Sequence, residues 1–468
     1  MDTEYETTCL KINGSGRKNS EERLISLTIG VEEMDPLIFY QTGQPLAAGK
    51  RFYWQSPSGD LTLTGIGAAA VIHAGSGRDR MLRVQKQWSQ LTEQAVQYGD
   101  ASLPGTGPIL FGGFSFTPGK ETDRLWGHFV NGLFLLPRLM LTVNHGQTFL
   151  SVNALHQPGE SLEQLVRMMK QQAEDVQQMP SGRAVEQRPE LLQADQQAPD
   201  EWLTLVNRAV AALKAKQMDK VVLARTLRLH FNGHPDAAAV LRRLKAQQAG
   251  DFIYCLEASG DYFIGASPER LVRKQDSMIE SMCLAGSAAR GQTKEADDLL
   301  GDRLLHDAKN RREHQYVVTM IRQALGKLCR SLTVPDHPVL MKNRDIQHLF
   351  TPVSGRSGDN LSVLHFVEQL HPTPALGGLP RDRAVRWISE NEPFSRGIYG
   401  APVGWCDRHG NGDFSVGIRS GLVQGHQAVL FAGCGILEAS VPEQEYKETK
   451  TKFRPMLNGL GVDTDGAQ

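Results

Sequence analysis

Residues 397–436 read GIYGAPVGWCDRHGNGDFSVGIRSGLVQGHQAVLFAGCGI, and the architecture turns on how they are parsed. Three apolar, glycine-bearing runs (GIYGAPVGWCD, GDFSVGIRSGLVQG and QAVLFAGCGI) are separated only by turn-forming residues. Such text predicts three consecutive strands in a meander. Immediately after it, VPEQEYKETKTKF (441–453) opens a charged closing helix.

Working outward, the same strand-like texture recurs. DFIYCLEASG, YFIGASP and RLVRKQD read as sheet segments, with Gly260 and Pro268 at hairpin turns. VVLARTLRLHF reads as a long strand, and LIFYQTG, RFYWQSPSG, LTLTGIG, GPILFGGFSF and FLLPRLMLTV as strands nearer the N-terminus. Helical periodicity marks LEQLVRMMKQQAEDVQ, DAAAVLRRLKAQ, VLHFVEQL and RAVRWISE. It also marks EWLTLVNRAVAALKAK, with Leu203, Val206, Val210 and Leu213 on one side, and one long helix over TKEADDLLGDRLLHDAKNRREHQYVVTMIRQALGKL. Antiparallel strands with long helices between them give an α+β class rather than repeated βαβ units. The polar stretch at 180–200 fits either a domain boundary or a surface connection.

A chain of 468 residues with net charge −1 and 22% charged side chains has no basic surface for nucleic acid or membrane lipid. Small molecules are the expected partners. Its six cysteines lack a CxxC spacing and read as free thiols of a reducing, cytoplasmic compartment. The acidic start MDTEYETTCLKINGSG is no secretory signal, so the sequon at Asn13 reads as chance. GLFLLPRLMLTV (132–143) is too short and too interrupted to span a bilayer.

Four places carry potential chemistry. On the closing helix, at about 100° per residue, Glu445, Glu448 and Lys452 fall within roughly a 60° arc. They suit a solvated Glu–Lys ladder as well as a cation site facing an anionic substrate. Gly433 and Gly435, just before them, permit close approach of a ligand to the backbone. Glu313 lies one turn before Val317 on an apolar face and needs a partner, a metal or an arginine such as Arg344 or Arg356. Glu269, after Pro268, is either a turn residue paired with Arg270 or a functional acid. Lys220 stands at the mouth of a strand, where a lysine is usually an edge or solvent residue but, desolvated, could act as a base.

Ten segments in order (KVVLAR, IGASPERL, LAGSAARG, KNRREHQYVV, IQHL, HPTPALGG, GIYGAPVGW, FSVGIRS, FAGCGI and EQEYKETKTK) resemble the chorismate-utilising enzymes. That family comprises isochorismate synthases, salicylate synthases, and the chorismate-binding components of anthranilate and aminodeoxychorismate synthases. The likeness covers about 205–460, a C-terminal catalytic part following a variable 1–200. MDPLIFYQTG, RFYWQSP, LTLTGIG and GPILFGGFSF are similar to the menaquinone-pathway isochorismate synthases of Bacillus-like bacteria. The resemblance implies one domain over 1–460, with two stacked antiparallel sheets between helices in four layers, and 180–200 as a surface connection.

It further implies a site. Glu313 and Glu448 match Mg²⁺ ligands, with Glu445 a third, direct or through water. Lys452, Tyr399, Arg419, Gly433 and Gly435 match the grip on the carboxylates of chorismate, and His348 lines the pocket. Ser287 stands where many members carry threonine. Lys220 and Glu269 match a base and an acid that add water at C2 and expel the C4 hydroxyl, Glu269 lying across the ring from Lys220 and away from the metal. Members that use ammonia generally lack a lysine at the position of Lys220. Salicylate synthases tend to carry threonine where Ala375 stands, so the resemblance favours an isochorismate synthase feeding menaquinone. The alternatives it leaves are a siderophore-pathway isochorismate synthase and a salicylate synthase. A monomer or weak homodimer is expected, with no membrane insertion.

Overall fold

A computed structural model describes residues 10–11, 22–45, 49–118, 125–179, 188–196, 198–344 and 346–463. Asn13, Cys9 and residues 180–187 and 197 of the 180–200 connection lie outside these residues. The described chain is α+β: an 11-stranded and a 13-stranded sheet carry helices on their outer faces. Both sheets draw strands from the first 200 residues and from the remainder. Pairing is antiparallel except where Leu10–Lys11 joins Ala70–His73 and Val96–Tyr98 joins Arg23–Val31.

Between the sheets lies an aromatic layer. Phe52 stacks on Phe111 at 4.3 Å and Trp54 meets Trp405 edge-on at 6.1 Å, each pair spanning the two sheets. Outside the larger sheet, the helices Ala237–Gln247 and Pro442–Leu460 bury Val240, Leu241, Leu244, Phe453, Met456 and Leu457 against it. Arg225 ties the closing helix down. Its Nε donates to Thr449 Oγ1 at 2.7 Å and its guanidinium lies over the rings of Tyr446 and Phe453.

The opening segment parses differently from expectation. It holds four strands, not three, and they divide between sheets. Pro402–Asp407 and Gly412–Val416 belong to the smaller sheet, Ser420–Gln424 and Gln427–Ile436 to the larger. The chain therefore crosses layers at Gly417-Ile418-Arg419, where Arg419 adopts a left-handed φ of 50°. Beside it, the chain crosses again at Pro268-Glu269, between Asp261–Ser267 of the larger sheet and Arg270–Gln275 of the smaller. Pro268 is thus a layer crossing and no hairpin turn, whereas Gly260 (φ 88°) does close the hairpin Ala258↔Asp261. The two crossings are laced together: Val416 N donates to Glu269 O at 3.0 Å, and Ala266 N to Arg419 O at 3.1 Å.

Other expectations shift for local reasons. Pro36–Thr42 is a helix, because Asp35 caps it from Leu37 N and Ile38 N and Pro36 occupies the first turn. The long helical run breaks into Lys294–His306 and Ala308–Gly326, since Asp307 turns extended and accepts Asn310 N at 2.7 Å. Pro199–Lys214 buries Trp202, Leu205, Val206, Ala209 and Leu213, a face rotated from the expected one. FLLPRLMLTV is two strands, Gly132–Leu136 and Leu139–Asn144, in different sheets. Part of 180–200 forms the edge strand Leu191–Gln196.

Candidate active site

The double crossing opens one wall of a pocket. Glu269 and Arg419 line it together with Gly286, Ser287, Lys309, Glu313, His348, Ala375, Tyr399, Gly433, Gly435, Glu445, Glu448 and Lys452. Every substrate or metal residue expected from the sequence therefore faces one cavity. Lys220 lies just behind it, fully buried as the first residue of Lys220–Phe231, which rules out the edge or solvent reading.

Two glycines make the crowding possible. A Cβ on Gly435 would sit 2.5 Å from Glu313 Oε1 and 3.0 Å from Lys220 Cε; one on Gly433 would sit 2.9 Å from Tyr399 Oη. The run FAGCGI is thus bare where lysine, glutamate and tyrosine close in. Tyr399 stacks on Phe431 at 5.2 Å, and burial pushes its phenol up.

Glu313 finds neither Arg344 nor Arg356; its Oε1 accepts from Lys220 Nζ at 2.8 Å. Burial alone would push this carboxyl up, but the charge and hydrogen bond of Lys220, with Lys452 and Lys309 behind, hold it below the usual range. The neighbouring His314 anchors the helix: its ring bridges Ala285 O at 3.2 Å and Thr351 Oγ1 at 2.8 Å. Glu445 pairs with Lys309 at 3.1 Å, and Glu448 with Lys452 at 2.6 Å. Burial and the charge of Glu448 push the Glu445 carboxyl up. Lys452 Nζ also donates to Gly433 O at 2.8 Å. Glu443 and Lys447 are exposed on the same helix, while Lys450 leans its ammonium over the Tyr446 ring.

Glu269 does not pair with Arg270, which grips Asp413 at 3.1 Å instead. Buried at 4% exposure, the Glu269 carboxyl is pushed up to about 8 by loss of water; Lys220, Lys452 and Arg419 oppose the shift without reversing it. Opposite, Ser287 Oγ and His348 Nδ1 are 2.8 Å apart. Burial, then the charges of Arg419 and Lys452, drive His348 well below its ordinary value, so it is a neutral ring.

Sequence reasoning missed two features. Lys309 stands one turn before Glu313, a spacing that pointed to the same face. Arg396 and Glu392 form a buried ion pair at 2.5 Å; Arg396 also donates to Val222 O and Leu376 O, and Glu392 accepts Ala224 N. This pair fastens the strand Lys220–Phe231 to the loop at Leu376, but it sits in the text ENEPFSRG, where no periodicity flags it.

Among the described residues, no three histidine, cysteine or acidic side chains converge into a ready-made metal cage. Each of the three carboxylates is held by a lysine instead. The donor chemistry still fits a hard divalent cation, since all three carboxylates face one cavity and offer only oxygen.

The chain is matched in known proteins. The pattern of the family described as "Chorismate binding enzyme" matches residues 8–461. The chain belongs to that family. Within it, the chain is an isochorismate-synthase-type enzyme: it is 42% identical over 442 residues to isochorismate synthase MenF of Bacillus subtilis, covering 94% of this chain and 93% of that protein. It is 33% identical to the salicylate biosynthesis isochorismate synthase of Pseudomonas aeruginosa, over 94% and 90% of the two chains. The structure of MenF, the menaquinone-specific isochorismate synthase from Escherichia coli, superposes with a TM-score of 0.79 at 27% identity, covering 94% of each chain. Among the described residues no helix is long and apolar enough to cross a membrane.

Proposed function

We propose that the protein converts chorismate to isochorismate in the cytoplasm, on the route to menaquinone. The observation that carries this reading is Glu269, a buried carboxyl raised to about 8 that keeps its proton at neutral pH. Such a group can donate to a hydroxide leaving group, which departs only when protonated. The competent form is the one in which Lys220 is an uncharged amine: it takes a proton from water as the water oxygen bonds to C2, the double bonds shift and the C4–O bond breaks, with Glu269 supplying the proton that makes water the leaving group. The ammonium formed on Lys220 stays beside Glu313 Oε1, 2.8 Å away. One water enters and one leaves, so the product is an isomer.

Arg419, Lys452 and Tyr399 would bind the two carboxylates of chorismate, while the neutral His348 with Ser287, Ala375 and the bare backbone of Gly433 and Gly435 shape the wall around the ring. Glu313, Glu448 and Glu445 would hold Mg²⁺, which as a Lewis acid supplies stabilisation of charge at the ring carboxylate. The single unit over 1–460, working as a monomer or weak homodimer, is part of the same proposal. Likeness over 94% of each chain to the menaquinone-specific isochorismate synthase of Escherichia coli supports the menaquinone route over the siderophore one.

The test is incubation of the pure protein with chorismate and Mg²⁺, following isochorismate, salicylate and pyruvate. Isochorismate accumulates if the reading holds; pyruvate released in step with chorismate loss would make this a salicylate synthase. Lys220→Ala should abolish hydration while chorismate still binds, and normal turnover in that variant would remove the lysine from the chemistry.

A further inference from the structure

Three carboxylates in the pocket meet three lysines, and two of those lysines have work already. Lys220 faces the reacting carbon in the proposed chemistry and Lys452 faces a substrate carboxylate. Lys309 has neither role. It lies near the start of the helix Ala308–Gly326, and its side chain remains about one-third exposed at 36%. It does not turn to Glu313, one helical turn away on its own helix; it reaches across to Glu445 on the closing helix, at 3.1 Å. Glu445 is itself 3% exposed, so this contact answers a buried carboxylate with a cation that can still reach solvent.

We propose that Lys309 is a resident counter-cation of the carboxylate wall: by holding Glu445 it offsets one negative charge there and sets how tightly the wall retains a divalent ion. The proposal rests on the reading that Glu313, Glu445 and Glu448 hold Mg²⁺. The charges acting on Lys309 come from all three carboxylates, Glu445 first, then Glu313 and Glu448, so its ammonium is central to their field. Glu445 would accordingly meet an incoming ion with its charge already shared with Lys309. A lysine in this position weakens cation binding and keeps the ion exchangeable.

The probe is Mn²⁺ alone, its free concentration followed by electron paramagnetic resonance without chorismate, so the readout is independent of turnover. Lys309→Met and Lys309→Gln, two neutral replacements of differing polarity, should each tighten Mn²⁺ binding about tenfold, the discounted effect of removing one partly exposed charge beside a divalent ion. Lys309→Arg keeps the charge and should match the parent within about twofold. Circular dichroism identifies whichever neutral variant is folded. Unchanged or weaker Mn²⁺ binding in the folded neutral variants, with the parent binding normally, overturns the role of Lys309 alone. A parent protein that binds no Mn²⁺ overturns the carboxylate-wall reading and this inference with it.

Discussion

At two of the places where the chain passes between its sheets, a pair of crossings is laced together in the same way, and only one of the two pairs lines the pocket. In the first, Leu61–Ile66 leads to Ala70–His73 while Gly132–Leu136 leads alongside to Leu139–Asn144, laced by Ala69 N to Leu136 O at 2.8 Å and Arg138 N to Gly67 O at 3.3 Å. In the second, the laced pair is the one bearing Glu269 and Arg419. A corner of this kind interrupts the ladder, aims side chains between the layers and leaves backbone groups to be satisfied. At the first corner the buried Asn153 closes the gap, its Nδ2 donating to Pro137 O at 2.9 Å and its backbone N to Arg138 O at 2.8 Å. At the second, the gap is the pocket. The same backbone device serves as a structural seam or as the wall of a pocket according to whether its corner is filled.

Breaking the second corner should cost activity and little else. Glu269→Gln keeps the shape but cannot supply a proton, and kcat should fall by about 10²- to 10⁴-fold with chorismate affinity nearly preserved; steady-state kinetics beside a binding titration checks this. A smaller effect follows from titrating the same group. With its pKa raised to about 8, Glu269 keeps its proton below that pH, so kcat should decline about tenfold per unit above it. The folded state also holds this proton between the ordinary carboxyl value of 4.5 and about 8, after the unfolded chain has released it. Rising pH through that window therefore costs stability. Glu269→Gln should flatten both profiles, which thermal melts and rates across pH can follow. The smallest effect belongs to the first corner: Asn153→Ala removes its amide and should lower stability by about 1–2 kcal/mol with kcat unchanged, read from denaturant unfolding.

The contrast also marks what was legible in the chain. The strand texture of 402–436 was plain, but a strand reads the same whichever sheet it joins, so the layer change at Gly417-Ile418-Arg419 was hidden in an apparent meander. LIFYQT passed for a strand because its aromatic content outweighed the cap at Asp35-Pro36. For the pocket, spacing made Glu445, Glu448 and Lys452 neighbours, and family resemblance assembled the rest. Neither gave the partners. Pairings between residues 93 or 136 positions apart, such as Lys220 with Glu313 or Lys309 with Glu445, follow from how helices dock on sheets. No local pattern encodes them.

The three lysine–glutamate pairs bear on the life of the protein before it meets any ligand. A nascent chain that buried three bare carboxylates in one cleft would meet mutual repulsion as it closed, and would have to wait for an ion to finish folding. Here each acid arrives with its own base, two of them from other elements of the chain, so protein contacts answer that repulsion. If the wall holds Mg²⁺ as proposed, starvation for divalent ions would leave a folded population of the protein rather than an unfolded one to be cleared.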